Sequence, residues 1–426
     1  MLLAILFYIF IIIGLINTVH FAAFIIGANI YDVRALARAR KYKAVRRHRF
    51  RNPLITILVP AYNEELSIER CLDSIKKNTY KKIQVVVIND ASNDKTAVIV
   101  RKYGTNFPNF PLRLVSRRVN HGKASGLNYA VRRYARGDLV MTLDADSILH
   151  KHALQNVVKY FDSPETVGVA ANVRILEELS VLGLLQRFEH MIGYRSKKMY
   201  TLLNCELIIG GVASTYRRSV LKKVRYYDAD TVTEDIGLSM KIVSHGNKQN
   251  RLVYASDVLA MTESVQTFKA LLNQRFRWKL GNLQNIFKYR SMAFSTSGQF
   301  SRAIAWYRMP MSFLGELMII LEPIVFLYVL YLSIRFFTPT LIIGAYMTIT
   351  IYLLLTILPD EHLGWWSKLR AACLAPLAYF VFYVMSLVQV ISVWRCLLNA
   401  KKITMLSGME ASWISPKRSG KAASFS

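Results

Sequence analysis

Hydrophobic residues along this chain are segregated. Leu2 to Ala28 is almost wholly apolar, residues 51–290 read as an ordinary globular mixture, and apolar stretches return after Met309. The first stretch is long enough for one membrane span at roughly 20 residues per bilayer. It has no basic leader and no small-residue cleavage site, so an anchor fits better than a signal peptide. Three further stretches, Met311–Ile334, Leu341–Leu358 and Ala371–Val393, predict a membrane-spanning block. Glu316, Glu322 and Pro323 interrupt the first of these. Acids at such depth face a bundle interior or an aqueous path, unless they sit at the interface.

Between the apolar blocks the periodicity changes. Leu54–Pro60, Ile83–Asn89, Leu112–Val115 and Leu139–Leu143 are short β-branched runs, separated by helical patterns such as Glu65–Lys77 and Lys123–Arg136. Short buried strands alternating with helices imply βαβ units and a parallel sheet. Val167–Ile175 and Arg251–Ala260 predict further strands, with a helix near Leu182–Leu203 and a turn at Gly210-Gly211 between them. Thr267–Tyr289 predicts an amphipathic helix able to lie in a membrane interface. No internal repeat is visible, and the tail after Pro416 reads as disordered.

Charge sharpens this picture. The 426 residues carry a formal net charge of +29, with 53% hydrophobic residues and a mean hydropathy of +0.24. From Arg34 to Arg51 there are nine Lys or Arg after Asp32 and no acid. A nucleic-acid tail is one reading of such a run. Its place directly after a span instead marks the cytoplasmic side and contact with anionic lipid. Topology does not close, however. One N-terminal span and three later ones place the basic tail (Lys401, Lys402, Lys417, Arg418, Lys421) outside, against the positive-inside rule. Either one stretch is re-entrant or interfacial, or the number of spans differs. The four cysteines are scattered without a C-x-x-C, which fits a reducing cytosol and suggests neither zinc nor disulfides.

The candidate chemistry lies at strand ends. Ligands in open α/β sheets sit beyond the carboxyl ends of the strands, where Asn63, Asp90 and Asp144 fall. Asp144-Ala145-Asp146 follows the fourth strand. Side chains two apart on a strand point the same way, so this pair suits Mg²⁺ or Mn²⁺ shared with phosphate oxygens; a helix-capping loop is the structural alternative. Asp90 could accept a hydrogen bond from a base or ribose, or simply belong to the turn Asn89–Asn93. Lys123 in His121-Gly122-Lys123-Ala124 could meet a phosphate, or be a solvated helix start. Thr233-Glu234-Asp235 begins a helical pattern. Asp235 is a candidate base for an acceptor hydroxyl, though acids also favour a helix's first turn. Gln274, Arg277 and Trp278 share one helical face. Arg277 could hold a diphosphate bidentately and Trp278 could stack on a sugar; an interfacial Trp with Arg anchors is the other reading.

Taken in order, VPAYNEE (Val59–Glu65), Asp90, HGKASGLN around Lys123, DAD (Asp144–Asp146), IIGGVASTYRR (Ile208–Arg218), TED (Thr233–Asp235) and QRFRW (Gln274–Trp278) resemble the processive family 2 glycosyltransferases. That group includes the cellulose, chitin, hyaluronan and poly-N-acetylglucosamine synthases. The resemblance covers roughly Leu54–Tyr289 and continues into the apolar block. It implies an α/β GT-A domain with a Rossmann-like mixed sheet, inserted between transmembrane helices and flanked by amphipathic interface helices. It implies UDP held by Tyr62, Glu64, Asp90, Lys123 and Asp144, with Mg²⁺ or Mn²⁺ at Asp144 and Asp146. It implies Asp235 as base beside Glu234, and Gln274, Arg277 and Trp278 at the diphosphate and acceptor. The implied reaction inverts the anomeric carbon and extrudes a β-linked polymer from a UDP-sugar, UDP-GlcNAc first among them. The expected partners are the UDP-sugar donor, the growing polysaccharide and the lipid bilayer, with room for a small accessory membrane subunit and no nucleic acid. The enzyme is expected in the cell membrane as a multi-pass protein with its catalytic domain cytoplasmic.

Trp413-Ile414-Ser415-Pro416-Lys417-Arg418 resembles the terminal W-x-S-P-x-R of the bacterial poly-β-1,6-N-acetylglucosamine branch, which usually carries two N-terminal spans rather than one. The expected organisation is an anchor over 1–31, a basic linker over 32–52 and a catalytic domain over 53–265. Interface helices over 266–308, a transmembrane bundle over 309–400 and a basic tail over 401–426 complete it. Three alternatives stand beside this reading. A single-transfer enzyme acting on a lipid carrier normally lacks Q-x-x-R-W. A hyaluronan-, chitin- or cellulose-type synthase would differ in its sugar. A catalytically dead channel subunit would be expected to have lost one of the acids.

Overall fold

The structure is a computed structural model that describes residues 2–45, 52–176, 180–360 and 362–404. Arg46–Arg51 of the basic run, Trp413–Arg418 and the rest of the tail after Thr404 lie outside the described residues. Helix α1 (Leu2–Val45) carries the first apolar stretch and continues without a break into the basic residues that the sequence suggests as a linker. After it come β1 (Ile55–Ala61), α2 (Ile68–Lys76), β2 (Ile83–Asp90), α3 (Thr96–Asn106), β3 (Leu112–Arg117), α4 (Lys123–Arg133) and β4 (Leu139–Thr142). These strands occupy the predicted apolar runs and pair in parallel, with Ile55 between Ile83 and Leu139. Every residue of β1 is buried, as expected of a parallel strand covered on both faces. Alternation sorts its side chains. Leu58 joins Val86, Ile88 and Leu127 on one face, while Ile57 and Val59 join Val85, Val87 and Leu72 on the other.

The second half departs from a purely parallel sheet. It contains β5 (Ser147–Leu149), α5 (Ala153–Tyr160), β6 (Thr166–Ile175), α6 (Val181–Leu202), β7 (Ser214–Arg217), α7 (Arg218–Lys223), α8 (Glu234–His245) and β8 (Arg251–Thr262). Strand β7 runs antiparallel to β4 and β6, and β5 antiparallel to β8. The result is one eight-stranded mixed sheet in the order β3-β2-β1-β4-β7-β6-β8-β5. Asp144 and Asp146 are not on a strand. They occupy the turn joining β4 to β5, closed by Ser147 N–H donating to Asp144 O at 2.9 Å. Strand alternation therefore does not orient this pair; the turn does.

Beyond the sheet lie α9 (Phe268–Lys288), α10 (Met309–Arg335), α11 (Thr340–Ile357), α12 (Trp365–Leu398) and the short α13 (Ala400–Thr404). Thr267 caps α9, its hydroxyl accepting from Ala270 N–H. Among the described residues, Phe7–Ala37 and Ile304–Arg335 are long and apolar enough to cross a membrane, and Ile342–Ile357 and Tyr383–Leu398 are shorter apolar segments. Helix α1 is tied to the sheet-bearing unit through its C-terminal half. Asp32 pairs with Lys198 of α6 at 2.7 Å, and the Tyr31 hydroxyl donates to Tyr254 O at 2.7 Å. Glu316, the acid expected at membrane depth, lies early in α10 and pairs with Lys279 of α9 at 3.0 Å, accepting also from Asn282 at 2.8 Å.

Candidate active site

The loops after β1 and β2 are stitched together. Asn63 N–H donates to Ser92 Oγ at 3.0 Å, Asn93 N–H donates to Asn63 Oδ1 at 2.9 Å, and Glu64 N–H donates to Thr96 Oγ1 at 2.8 Å. Asn63 and Ala91 hold φ near 54° and 64°, the left-handed region that tight loops use. Glu64 is buried, and its carboxylate accepts from Ser67 at 2.6 Å, so its side chain helps build the start of α2. Tyr62 is half-buried beside it. Asp90, at the end of β2, is buried and pairs with Arg117 at 3.1 Å. Burial raises its carboxyl above the ordinary range, while Arg117 pulls the other way.

A second group of charges meets on the other side of β1. Lys123, the first residue of α4, reaches Asp144 at 2.7 Å and Glu234 at 3.1 Å. Gly211, in the loop before β7, lies at the focus. A Cβ placed there would sit 3.1 Å from Lys123 Nζ, 3.4 Å from Asp235 Oδ2 and 3.9 Å from Asp144 Oδ2. Three side chains from three separate motifs therefore converge on Gly211, and Glu234 joins them through Lys123. Burial opposes the charge on Lys123, but Asp144, Glu234 and Asp235 outweigh it and hold the ammonium above its ordinary pKa. Burial and the neighbouring Glu234 push Asp235 up to about 6, with Lys123 acting in the opposite direction. Asp146 is buried nearby, accepting from Ser147 Oγ at 3.0 Å.

Helix α9 is packed directly on this group. Gly281 faces Thr233, the residue preceding Glu234 and Asp235, and a Cβ at Gly281 would lie well inside contact distance of the Thr233 hydroxyl. Asn285 Nδ2 donates to Thr233 O at 3.4 Å. One turn before Gly281, Trp278 is 37% exposed and Arg277 is exposed. The buried Gln274 Oε1 has no hydrogen-bond partner among the described residues. Arg275 is buried and makes two contacts with Glu189 of α6, at 2.8 and 2.7 Å, with its guanidinium 4.3 Å from the Trp278 ring centre.

The sequence reading missed Arg275, Glu189 and Arg117. Arg117 had a usable signal: it ends β3, as Asp90 ends β2. Arg275 lies three residues before Trp278, so helical spacing alone puts the two on neighbouring positions. Glu189 carries no local signal, since its partner lies on another helix.

Residues 56–225 match the family model for glycosyl transferase family 2. Over 230 residues, 53% of this chain, it is 34% identical to the poly-beta-1,6-N-acetyl-D-glucosamine synthase of Staphylococcus aureus strain COL, covering 54% of that protein. The corresponding Staphylococcus epidermidis synthase is 32% identical over 230 residues. The chain thus matches about half the length of these curated relatives. The mannosyltransferase PcManGT from Pyrobaculum calidifontis, solved with GDP-Man and Mn²⁺, superposes over 89% of this chain and 99% of its own. Its TM-score of 0.57 at 20% identity shows a shared fold.

Proposed function

With residues 56–225 forming a family 2 glycosyltransferase domain that resembles the poly-β-1,6-N-acetylglucosamine synthases, we propose that this chain is a membrane-embedded, inverting, processive glycosyltransferase. It polymerises a UDP-sugar, UDP-GlcNAc, into a β-linked polysaccharide and passes the product into the membrane. The observation that carries this reading is the convergence of Lys123, Asp144 and Asp235 on Gly211, with the Trp278 helix packed behind it.

In this reading the uridine site lies at the ends of β1 and β2, with Asp90 held by Arg117 to accept from base or ribose. Tyr62 and Glu64 shape its wall. Lys123 steadies the diphosphate. The acceptor hydroxyl loses its proton to Asp235 as its oxygen bonds to the anomeric carbon, and the bond from that carbon to the phosphate oxygen breaks, releasing UDP. Attack from the face opposite the leaving group inverts the carbon. A carboxylate raised to about 6 is a stronger base than an ordinary aspartate and is still ionised near neutral pH. Glu234 holds Lys123 in place. Trp278 offers an apolar face to the acceptor sugar, and Gln274 and Arg277 offer polar contacts to acceptor and diphosphate.

The donor set fits Mg²⁺ or Mn²⁺. Asp144 already faces a cation, the Lys123 ammonium, and Asp146 lies two residues away. No group of three or more His, Cys, Asp or Glu among the described residues forms a metal cage. That suits an ion taking its other ligands from substrate phosphates. Asp144 and Asp146 would hold such an ion, which would compensate the negative charge of the departing diphosphate.

The deciding experiment incubates membranes containing the full chain with radiolabelled UDP-GlcNAc, UDP-glucose or UDP-glucuronic acid. The product is then sized and digested with linkage-specific hydrolases. Long polymer from UDP-GlcNAc supports the proposal; a single sugar on a lipid carrier sinks it.

A further inference from the structure

Helix α12 reads as a span by composition, since no charged residue occurs from Ala371 to Trp394. Its surroundings point elsewhere, because both of its ends touch the catalytic unit. Just before it, Asp360 pairs with Arg174 of β6 at 2.8 Å, and His362 Nε2 lies 3.1 Å from Ser256 O within β8. At its far end Arg395 donates to Asn273 Oδ1 at 3.2 Å, and its guanidinium lies 4.3 Å from the Phe276 ring centre. Beyond it, Gln284 Nε2 of α9 donates to Lys402 O at 2.8 Å. In between, Met385 and Val388 share a core with Leu271 of α9. A crossing helix would carry one end about 30 Å away, through the hydrocarbon layer.

The outer face of α12 is apolar and exposed. Phe380, Val384, Leu387, Ile391, Trp394 and Leu398 follow one another at alternating four- and three-residue steps, with Leu398 83% exposed. That is one continuous stripe along a helix. Lys368, Arg370, Arg395, Lys401 and Lys402 flank it, and no acid occurs from Gly364 to Thr404. An apolar stripe bordered only by cations matches the boundary of an anionic leaflet.

We propose that α12 does not cross the membrane. It lies along α9 on the catalytic side and presents the Phe380–Leu398 stripe to the lipid of the adjoining leaflet. The crossings are then α1, α10 and α11, and the chain beyond Lys402 is on the catalytic side, where the positive-inside rule wants its basic residues. The proposal rests on the membrane placement above but not on the activity, so either can fail alone.

The test reads sidedness. Lys368→Cys, Thr404→Cys and Phe337→Cys are made singly in a full chain whose native cysteines are serine. A membrane-impermeant maleimide is then applied to sealed vesicles of known orientation. We expect the labels at 368 and 404 to react from the same side, and that at 337, between α10 and α11, from the other. Reaction of 404 from the side of 337 overturns the proposal. Should the serine background not insert, a green fluorescent protein fused to the C-terminus of the native chain replaces it. Fluorescence supports a cytoplasmic end, and a membrane-inserted but dark fusion overturns it. A nitroxide at Leu387→Cys tests the occupant. Relaxation by oxygen but not by a water-soluble nickel chelate supports lipid. Shielding from both means that a second copy or another protein covers the stripe, which overturns the lipid assignment.

Discussion

Gly281 of α9 packs against Thr233, the residue that leads into Glu234 and Asp235, too closely to admit a Cβ. The helix carrying Gln274, Arg277 and Trp278 and the start of α8, which carries Asp235, are thereby one mechanical unit. Gly281→Ala should push them apart. Overpacking of this kind costs about 1–3 kcal/mol, and we expect polymer synthesis to fall more steeply than stability. Gly298→Ala, where nothing lies within 4 Å of a Cβ, is the matched control. Thermal unfolding and product formation measured on both variants check the difference.

Asp235→Asn should abolish polymer formation, by roughly 10²–10⁴-fold as for loss of a positioned base, while UDP binding measured by calorimetry persists. Synthesis at the normal rate would remove Asp235 from the role of base.

The pH profile follows from the same carboxylate. Burial and Glu234 raise Asp235 to about 6. Below that value it is protonated and unable to accept a proton; above it, it is ionised. The initial rate should therefore rise with pH through an acid limb near 6. A limb near 4 instead would assign the base to an unperturbed carboxylate.

Arg275 is held by Glu189 and stacks against Trp278. Arg275→Ala leaves the half-buried Glu189 without its partner, which costs less than the roughly 3–5 kcal/mol of a fully buried pair. Trp278→Ala keeps the pair and removes only the ring. We expect the first to lower the unfolding temperature, and the second to leave it in place while slowing elongation more than donor hydrolysis. Equal losses of elongation and hydrolysis in Trp278→Ala would argue against an acceptor contact.

Chelation of divalent cations should stop synthesis, and added Mg²⁺ or Mn²⁺ should restore it. Full activity in excess EDTA would show that Lys123 alone suffices at the diphosphate.

Much of this was legible in the chain itself. Short β-branched runs placed β1 to β4; a strand covered on both faces, as β1 is, has to be apolar nearly throughout. Ligand placement at strand ends picked out Asp90 and Asp144, and the ordered motifs brought in Asp235 and Trp278. The orientation of Asp144 and Asp146 was not legible, because the strand stops at Thr142 and a turn sets their directions. Composition gave α12 the look of a span. Hydropathy counts apolar residues but does not register what lies against each face of the helix.

Local facts can be read from the chain alone: which segments are apolar, roughly where strands lie, and which charges are at hand. Meetings between segments distant in the chain arise only in the folded protein. These are Lys123 with Asp144 and Glu234, Arg275 with Glu189, Gly281 with Thr233, and the two ends of α12 with β6 and α9. Local propensity acts over a few residues, whereas each of these contacts depends on how the sheet and its helices stack. Their energies come from burial and charge pairing that exist only once the fold is formed.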